Sequence, residues 1–363
     1  MAKAMGLFVC LRIVCACVPY PFTMEGEDGM KTRSLTHAMA CTGAVIGAGF
    51  ASGREIASFF SIYGLHGWWL IALACAVMTA LCLVCMRESI RCSAECWCDL
   101  YHEEQQWLKN GIQLCTLLLM VLTSGAMIAA SGQMVALIWN YPWAYAIGAA
   151  ATFAAAWLLG YGCMRPLGWL SGVLIVVFLA ALMMGLSQDG AETVSLVWHG
   201  SLVMAAIRAA SYAAMNLTLA IGVVCRCAQA DNRENTLTAL FFGILMFVTM
   251  SLSHCLYSRH PEWLGDGFPL VRNLSVFGRK GFLFGAALIY LSVFTSLTAV
   301  IYALRCAVEK QTDSLLLRML AVVVLPVAVS CIGFVQIVDR FYAPSGLICL
   351  IVVFYPLFRR RSA

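Results

Sequence analysis

The chain has 363 residues, of which 62% are hydrophobic and 11% charged, with a net charge of +5 and a mean hydropathy of +0.86. Soluble domains carry about 25% charged residues, so a water-soluble globular protein is excluded, and apolar runs of about twenty residues argue for membrane-crossing helices rather than the short alternating strands of a β-barrel. The basic residues are dispersed along connecting stretches and end in a short tail, Arg359 to Arg361, which is an anchoring pattern at a membrane surface and not a nucleic-acid footprint.

The first 30 residues read as an extension or as a start placed too early: residues 5–18 are apolar, "VPYPFTMEGEDG" follows, and Met30 opens a natural cytoplasmic start. The rest, residues 31–363, reads as one membrane domain. Ten hydrophobic segments are predicted, at about 35–61, 66–88, 110–139, 142–161, 166–187, 198–226, 235–257, 281–308, 315–334 and 337–358. A charged connector at 89–109 and a loop at 258–280, holding Pro261 and Pro269, separate them. Most of the 18 cysteines lie inside apolar runs, where they act as small hydrophobes. Cys92, Cys96 and Cys98 with His102 have a metal-like spacing, but free cytoplasmic thiols are the plainer reading.

An amino terminus inside the cell places Lys31, Arg33, Arg87, Arg91, Lys109, Arg165, Arg226, Arg233, Arg305, Lys310 and Arg318 on the cytoplasmic side. The loop at 258–280, with Arg259, Arg272, Arg279 and Lys280, is the exception. Ten helices divide into two halves of five, and because five is odd the second half enters from the opposite side. The expected fold is therefore an all-α polytopic membrane protein built as a five-plus-five inverted repeat, 35–187 and 198–358, with helices 1 and 6 broken.

The most informative stretch is "TGAVIGAGFASGREIASFF", residues 42–60. Glycine costs about 1 kcal/mol relative to alanine in a helix interior, and this segment holds Gly43, Gly47, Gly49 and Gly53. The pairs 43/47 and 49/53 fit close helix packing. They also fit a broken helix whose freed backbone groups become ligands, which lipid tolerates only where that backbone lines a cavity or is buried. Arg54 and Glu55 follow as an expensive charged pair, read either as interfacial side chains reaching water or as gating or substrate-contacting groups.

Helix 6, "IRAASYAAMNLTLAIGVV", is the symmetry mate of helix 1 and is expected to break around Asn216 and Thr218, with Tyr212 one turn earlier and Arg208 further out. Its centre has no glycine or proline, and Asn216 serves equally as a contact to a neighbouring helix. Helix 8 contributes Ser292, Thr295 and Ser296 on one face. These hydroxyls suit a hard cation, or bond back to their own helix carbonyls.

The segment "GAVIGAGFASGREIASFF" resembles the start of the YkvI-like family of bacterial membrane proteins, in the amino acid–polyamine–organocation superfamily. "SGAMIAASGQM", "SYAAMNLTLAIGVV" and "FVQIVDRFYAPSGLICL" extend the resemblance over about 35–358, with Arg54 standing where the family pattern has glutamine. The resemblance implies the leucine-transporter fold. Carried over, it assigns a sodium site to the carbonyls of Gly43, Ile46 and Ser292 with the hydroxyls of Thr295 and Ser296. It assigns substrate contacts to Gly47, Ala48, Gly49, Tyr212 and Asn216, with the backbone of 47–49 receiving a substrate carboxylate. Outside closure is expected to pair Arg54 or Arg208 with Asp339, and Glu55 joins the gating group.

The function expected is secondary active transport of an amino acid or similar small zwitterion across the cytoplasmic membrane, with sodium as coupling ion and Glu55 as carrier if protons couple instead. No other cofactor and no obligate protein partner is expected beyond solute and bilayer. A non-transporting amino-acid receptor of the same fold is the alternative. A membrane-embedded enzyme is disfavoured, because no H-E-x-x-H or G-x-S-x-G pattern occurs.

Overall fold

In the computed structural model the described residues are 27–94, 97–101, 105–159, 164–188, 200–311 and 313–359. Residues 1–26, Cys96, His102, His199 and the end of the basic tail lie outside them, and with them most of the amino-terminal extension. Among the described residues every regular element is helical.

The first hydrophobic segment is three helices: α1 (Glu27–Val45), α2 (Ala48–Ser52) and α3 (Arg54–Phe59). Then follow α4 (Gly67–Arg91), α5 (Gln106–Ile138), α6 (Ala144–Leu159), α7 (Met164–Gln188), α8 (Leu202–Arg226) and α9 (Asn232–Ser258). The chain closes with α10 (Pro269–Leu274), α11 (Gly278–Gln311), α12 (Leu315–Met319), α13 (Leu325–Ser330), α14 (Phe334–Cys349) and α15 (Tyr355–Arg359). Among the described residues six helical stretches are long and apolar enough to cross a membrane, and three shorter apolar helices lie at Ala144–Leu159, Gly172–Ser187 and Leu315–Ser330.

Local chemistry sets several boundaries. Asp231 caps α9 by accepting from the Arg233 amide at 2.8 Å, which satisfies one of the helix's orphan donors. Pro269 stands in the first turn of α10, where its missing N–H costs nothing. The predicted loop at 258–280 is thus largely helical, with single 3₁₀ turns at Pro261–Trp263 and Ser275–Phe277 around α10. Two π-helical turns, Leu320–Val324 and Leu350–Phe354, each end two residues before a proline, Pro326 and Pro356. A proline has no amide for the carbonyl one turn back, so the ladder widens there.

Helices pack in two groups. In the first, α4 lies along α8 and α9, and α9 along α1. In the second, α5 lies along α6, α11 and α13. Helix α14 packs on both α8 and α5, while α2 packs on α11, so the broken segment sits between the groups. Buried aromatic residues, among them Phe50, Phe59, Phe60, Phe178 and Tyr212, fill the surrounding space.

One expectation is corrected. Helix 6 is not broken: α8 runs as one helix from Leu202 to Arg226. Its middle is alanine-rich, a composition that favours helix, and no glycine or proline interrupts it. The polar residues that were expected to mark a break instead bond back to their own helix, Asn216 Nδ2 to the Tyr212 carbonyl at 3.1 Å and Thr218 Oγ1 to the Ala214 carbonyl at 2.7 Å.

Candidate functional site

The break in the first segment falls at Ile46–Gly47. The Gly47 amide turns back to the Val45 carbonyl at 2.7 Å instead of reaching the Gly43 carbonyl one turn earlier. Regular bonding resumes with the Ala51 amide on the Gly47 carbonyl at 2.9 Å. The helix bends again at Gly53, which has φ +86°, a left-handed conformation open to glycine at little cost.

The break faces α11 and α7. A Cβ placed on Gly47 would lie 3.4 Å from Ser296 Oγ, and one on Gly43 would lie 3.2 Å from Ile175 Cδ1. Ile46, Ser292 and Thr295 line one small cavity together with Ala51, Leu174, Ile175, Phe178 and Leu288. The cavity is about as large as a single water needs. Of the five residues that the resemblance assigns to sodium, Ile46, Ser292 and Thr295 line this cavity, while Gly43 lies against its wall at Ile175 and Ser296 stands beside Gly47. The oxygens are only partly free, since Thr295 Oγ1 donates to the Ser292 carbonyl at 3.1 Å.

Beyond the break, against Gly49, lies Glu55, 5% exposed. Its carboxylate rests on Gly49: a Cβ there would collide with Oε1 and come within 2.7 Å of Cδ. The Tyr212 hydroxyl stands beside this carboxylate without completing a hydrogen bond of good geometry, and Tyr342 lies close by. Glu55 Oε2 and Tyr212 Oη are both buried and without a hydrogen-bond partner. Tyr212 is held by Phe59 and Phe60, with ring centroids 5.1 Å away in each case. Taking a charge out of water carries a penalty of several kcal/mol unless it is paired and hydrogen-bonded, which makes this carboxylate the least satisfied group near the break.

Arg54 points elsewhere. Its guanidinium meets Asp339 of α14 through two arms, Nε to Oδ1 at 3.2 Å and Nη2 to Oδ2, and Nη1 donates to the carbonyls of Leu264 and Asp266. Of the two arginines considered for Asp339, it is Arg54 that reaches it. Arg208 instead donates to the Ser58 carbonyl at 3.4 Å and stacks over Phe59 at 5.4 Å. Neighbours in sequence, Arg54 and Glu55 thus serve different places.

Of the expected substrate contacts, Gly47 and Gly49 flank the break and Tyr212 faces it through Glu55. Asn216 is occupied by its own helix. Ala48 opens α2, and its side chain is outside the described part. Sequence reasoning missed two tyrosines: Tyr342, and Tyr257, whose unpartnered hydroxyl would collide with a Cβ on Gly53. Both come from distant helices, so no local pattern marks them. The metal-like group at 92–102 falls partly outside the described residues, and among those described no cluster of His, Cys, Asp or Glu has metal-binding geometry.

This architecture is shared with several solved helical structures. The structure is similar to a mutant of the manganese transporter of Eremococcus coleocola (TM-score 0.64, 14% identity, covering 94% of this chain and 81% of that one). It is also similar to MhsT in complex with L-phenylalanine (0.62, 14%, 88% and 88%) and to Mhp1 in an inward-facing conformation (0.59, 12%, 90% and 77%). The fold is accordingly the leucine-transporter fold. In sequence the chain is similar to the uncharacterized membrane protein YkvI of Bacillus subtilis (strain 168), 24% identical over 352 residues and covering 90% of this chain and 95% of that protein. No family model matches the chain.

Proposed function

We propose that this protein is a secondary active transporter of an amino acid or a similar small zwitterion, coupled to sodium, working by alternating access in the cytoplasmic membrane. Ten spans form two inverted halves of five, the amino terminus is inside, and residues 31–363 act as one transport domain. The observation that carries the reading is the break at Ile46–Gly47, packed between the two helix groups. Backbone in lipid is left non-helical only where it lines a cavity or is buried in protein, and this one borders both the small cavity of Ile46, Ser292 and Thr295 and the Glu55 carboxylate.

In this reading the carbonyls of Gly43, Ile46 and Ser292 and the hydroxyls of Thr295 and Ser296 hold sodium. The bond between Thr295 and Ser292 then rearranges as the ion enters. The group α1, α4, α8 and α9 rocks against α5, α6, α11 and α13, and the Arg54–Asp339 pair closes the outer side. The likeness to transporters of one fold supports the transport class.

The test is thermal stability of the purified protein against a panel of amino acids and amines, with sodium chloride or choline chloride. Ligand that binds the folded state raises apparent stability by mass action. Stabilisation by at least one solute that is stronger in sodium is expected; no response to any solute in either salt contradicts the reading.

A further inference from the structure

Glu55 is a buried acid whose Oε2 has no hydrogen-bond partner, and the guanidinium next to it in sequence is fully engaged by Asp339 and two loop carbonyls. Its carboxylate fills the space over Gly49, so a Cβ there would force the Glu55 side chain to move. Tyr212 adds a second buried oxygen without a partner on the same side, and Tyr342 lines the same place. The Gly47 amide, one of the donors that a substrate carboxylate would need, is already used by the Val45 carbonyl. The short helix after the break has five residues and then bends, so it offers no extended dipole to an anion.

We propose that Glu55, with the Tyr212 hydroxyl, receives the ammonium group of the solute beside Gly49, and that a carboxylate on the solute is not what this end of the site recognises. The site's polarity is then the reverse of the one expected from the backbone of 47–49. A primary ammonium brings three donors and a positive charge. The Glu55 carboxylate and the Tyr212 oxygen offer acceptors and a compensating negative charge, at a depth where unscreened attraction between charges is strong. The ligand class is a small primary amine, of which an amino acid is one example; an amine without any carboxylate fits as well.

The proposal rests on the transporter reading only in assuming that a solute enters at the break. Its test is therefore binding rather than uptake. Three small molecules remove one charged group at a time: alanine carries an ammonium and a carboxylate, ethylammonium only the ammonium, and propionate only the carboxylate. Dissociation constants are measured by calorimetry on the full-length protein in sodium chloride, with choline chloride as the ionic control. Ethylammonium is expected to bind at least as tightly as alanine, and propionate at least ten-fold more weakly than either. Glu55→Gln, which keeps the shape and removes the charge, is expected to weaken ethylammonium ten-fold or more, and Tyr212→Phe to weaken it less.

Binding of alanine and propionate without ethylammonium would overturn the proposal, as would unchanged ethylammonium affinity in Glu55→Gln or no binding by either amine. If Glu55→Gln does not fold, the ranking of the three molecules on the unaltered protein still decides. Carboxylate-led binding followed by uptake would reject this assignment and leave transport standing. Amine binding without uptake would do the reverse.

Discussion

Arg54 and Asp339 stand 285 positions apart in the chain and meet as a two-armed ion pair that joins the broken first segment to α14. The arginine side chain is 7% exposed and the aspartate side chain 34%, so the pair runs from a buried group to one that solvent partly reaches. The bonds from Nη1 to the Leu264 and Asp266 carbonyls fasten the loop before α10 to the same point.

Removing Arg54 by Arg54→Ala is expected to destabilise the protein by about 1–3 kcal/mol, the usual range when a charged hydrogen-bonding group is left alone. Under the proposed outer closure, uptake should fall even in vesicles that hold the folded variant. Exchanging the charges, Arg54→Asp with Asp339→Arg, should restore only part of the loss, because the loop carbonyls lose their donor. Thermal unfolding and uptake of the same variants check this. A double exchange no better than either single change contradicts a gating pair.

Gly49→Ala is expected to cost about 1–3 kcal/mol, the range for forcing an extra methyl into a filled space, because the new Cβ collides with Glu55 Oε1. Combined with Glu55→Ala the cost should largely disappear while solute binding stays lost. Melting temperatures of the two single variants and the double one measure this. Equal cost with and without the Glu55 carboxyl would place the strain elsewhere.

Gly53→Ala meets two obstacles, a positive φ and the Tyr257 ring edge, whose Cζ would lie 2.5 Å from the added methyl. Strain at such a backbone position costs about 1–3 kcal/mol. Tyr257→Phe removes the hydroxyl oxygen but leaves that carbon in place, so it should rescue Gly53→Ala only in part. Full rescue, read from melting temperatures, would show the backbone conformation to be unimportant.

The hydroxyls of α11 carry a separate prediction. Thr295→Ala and Ser296→Ala should each raise the sodium concentration for half-maximal stabilisation about ten-fold, equivalent to roughly 1.4 kcal/mol, without changing stability in choline. Thr295→Ser, which keeps the hydroxyl, should behave as the unaltered protein. A sodium response indifferent to all three changes places the ion elsewhere.

Much of this arrangement is written locally in the sequence. Four glycines in a dozen apolar residues forecast the interruption of the first segment, which falls at Ile46–Gly47 and again at Gly53, where φ is positive. The spacing of Ser292, Thr295 and Ser296 forecasts a shared face. The failed expectation, a break in α8, came from symmetry rather than from residues: Tyr212, Asn216 and Thr218 are compatible with an unbroken helix because their polar groups find partners on the same helix or face the site. The helix inside 258–280 was hidden by its prolines and glycines, although Pro269 in a first turn is a helix start as readily as a loop residue. The partition of Arg54 to Asp339 and Glu55 to Gly49 and Tyr212 depends on contacts across the chain that periodicity does not encode.

Transport is movement of solute across a sealed bilayer, and uptake into proteoliposomes measures it most directly. Vesicles holding the purified protein are given labelled alanine or ethylammonium under an inward sodium gradient. Saturable accumulation above the outside concentration, abolished by collapsing the gradient and by Gly49→Ala, is the expected result. Binding of label to the protein with no accumulation in sealed vesicles, for any solute that stabilises it, would contradict the account and assign the fold to sensing.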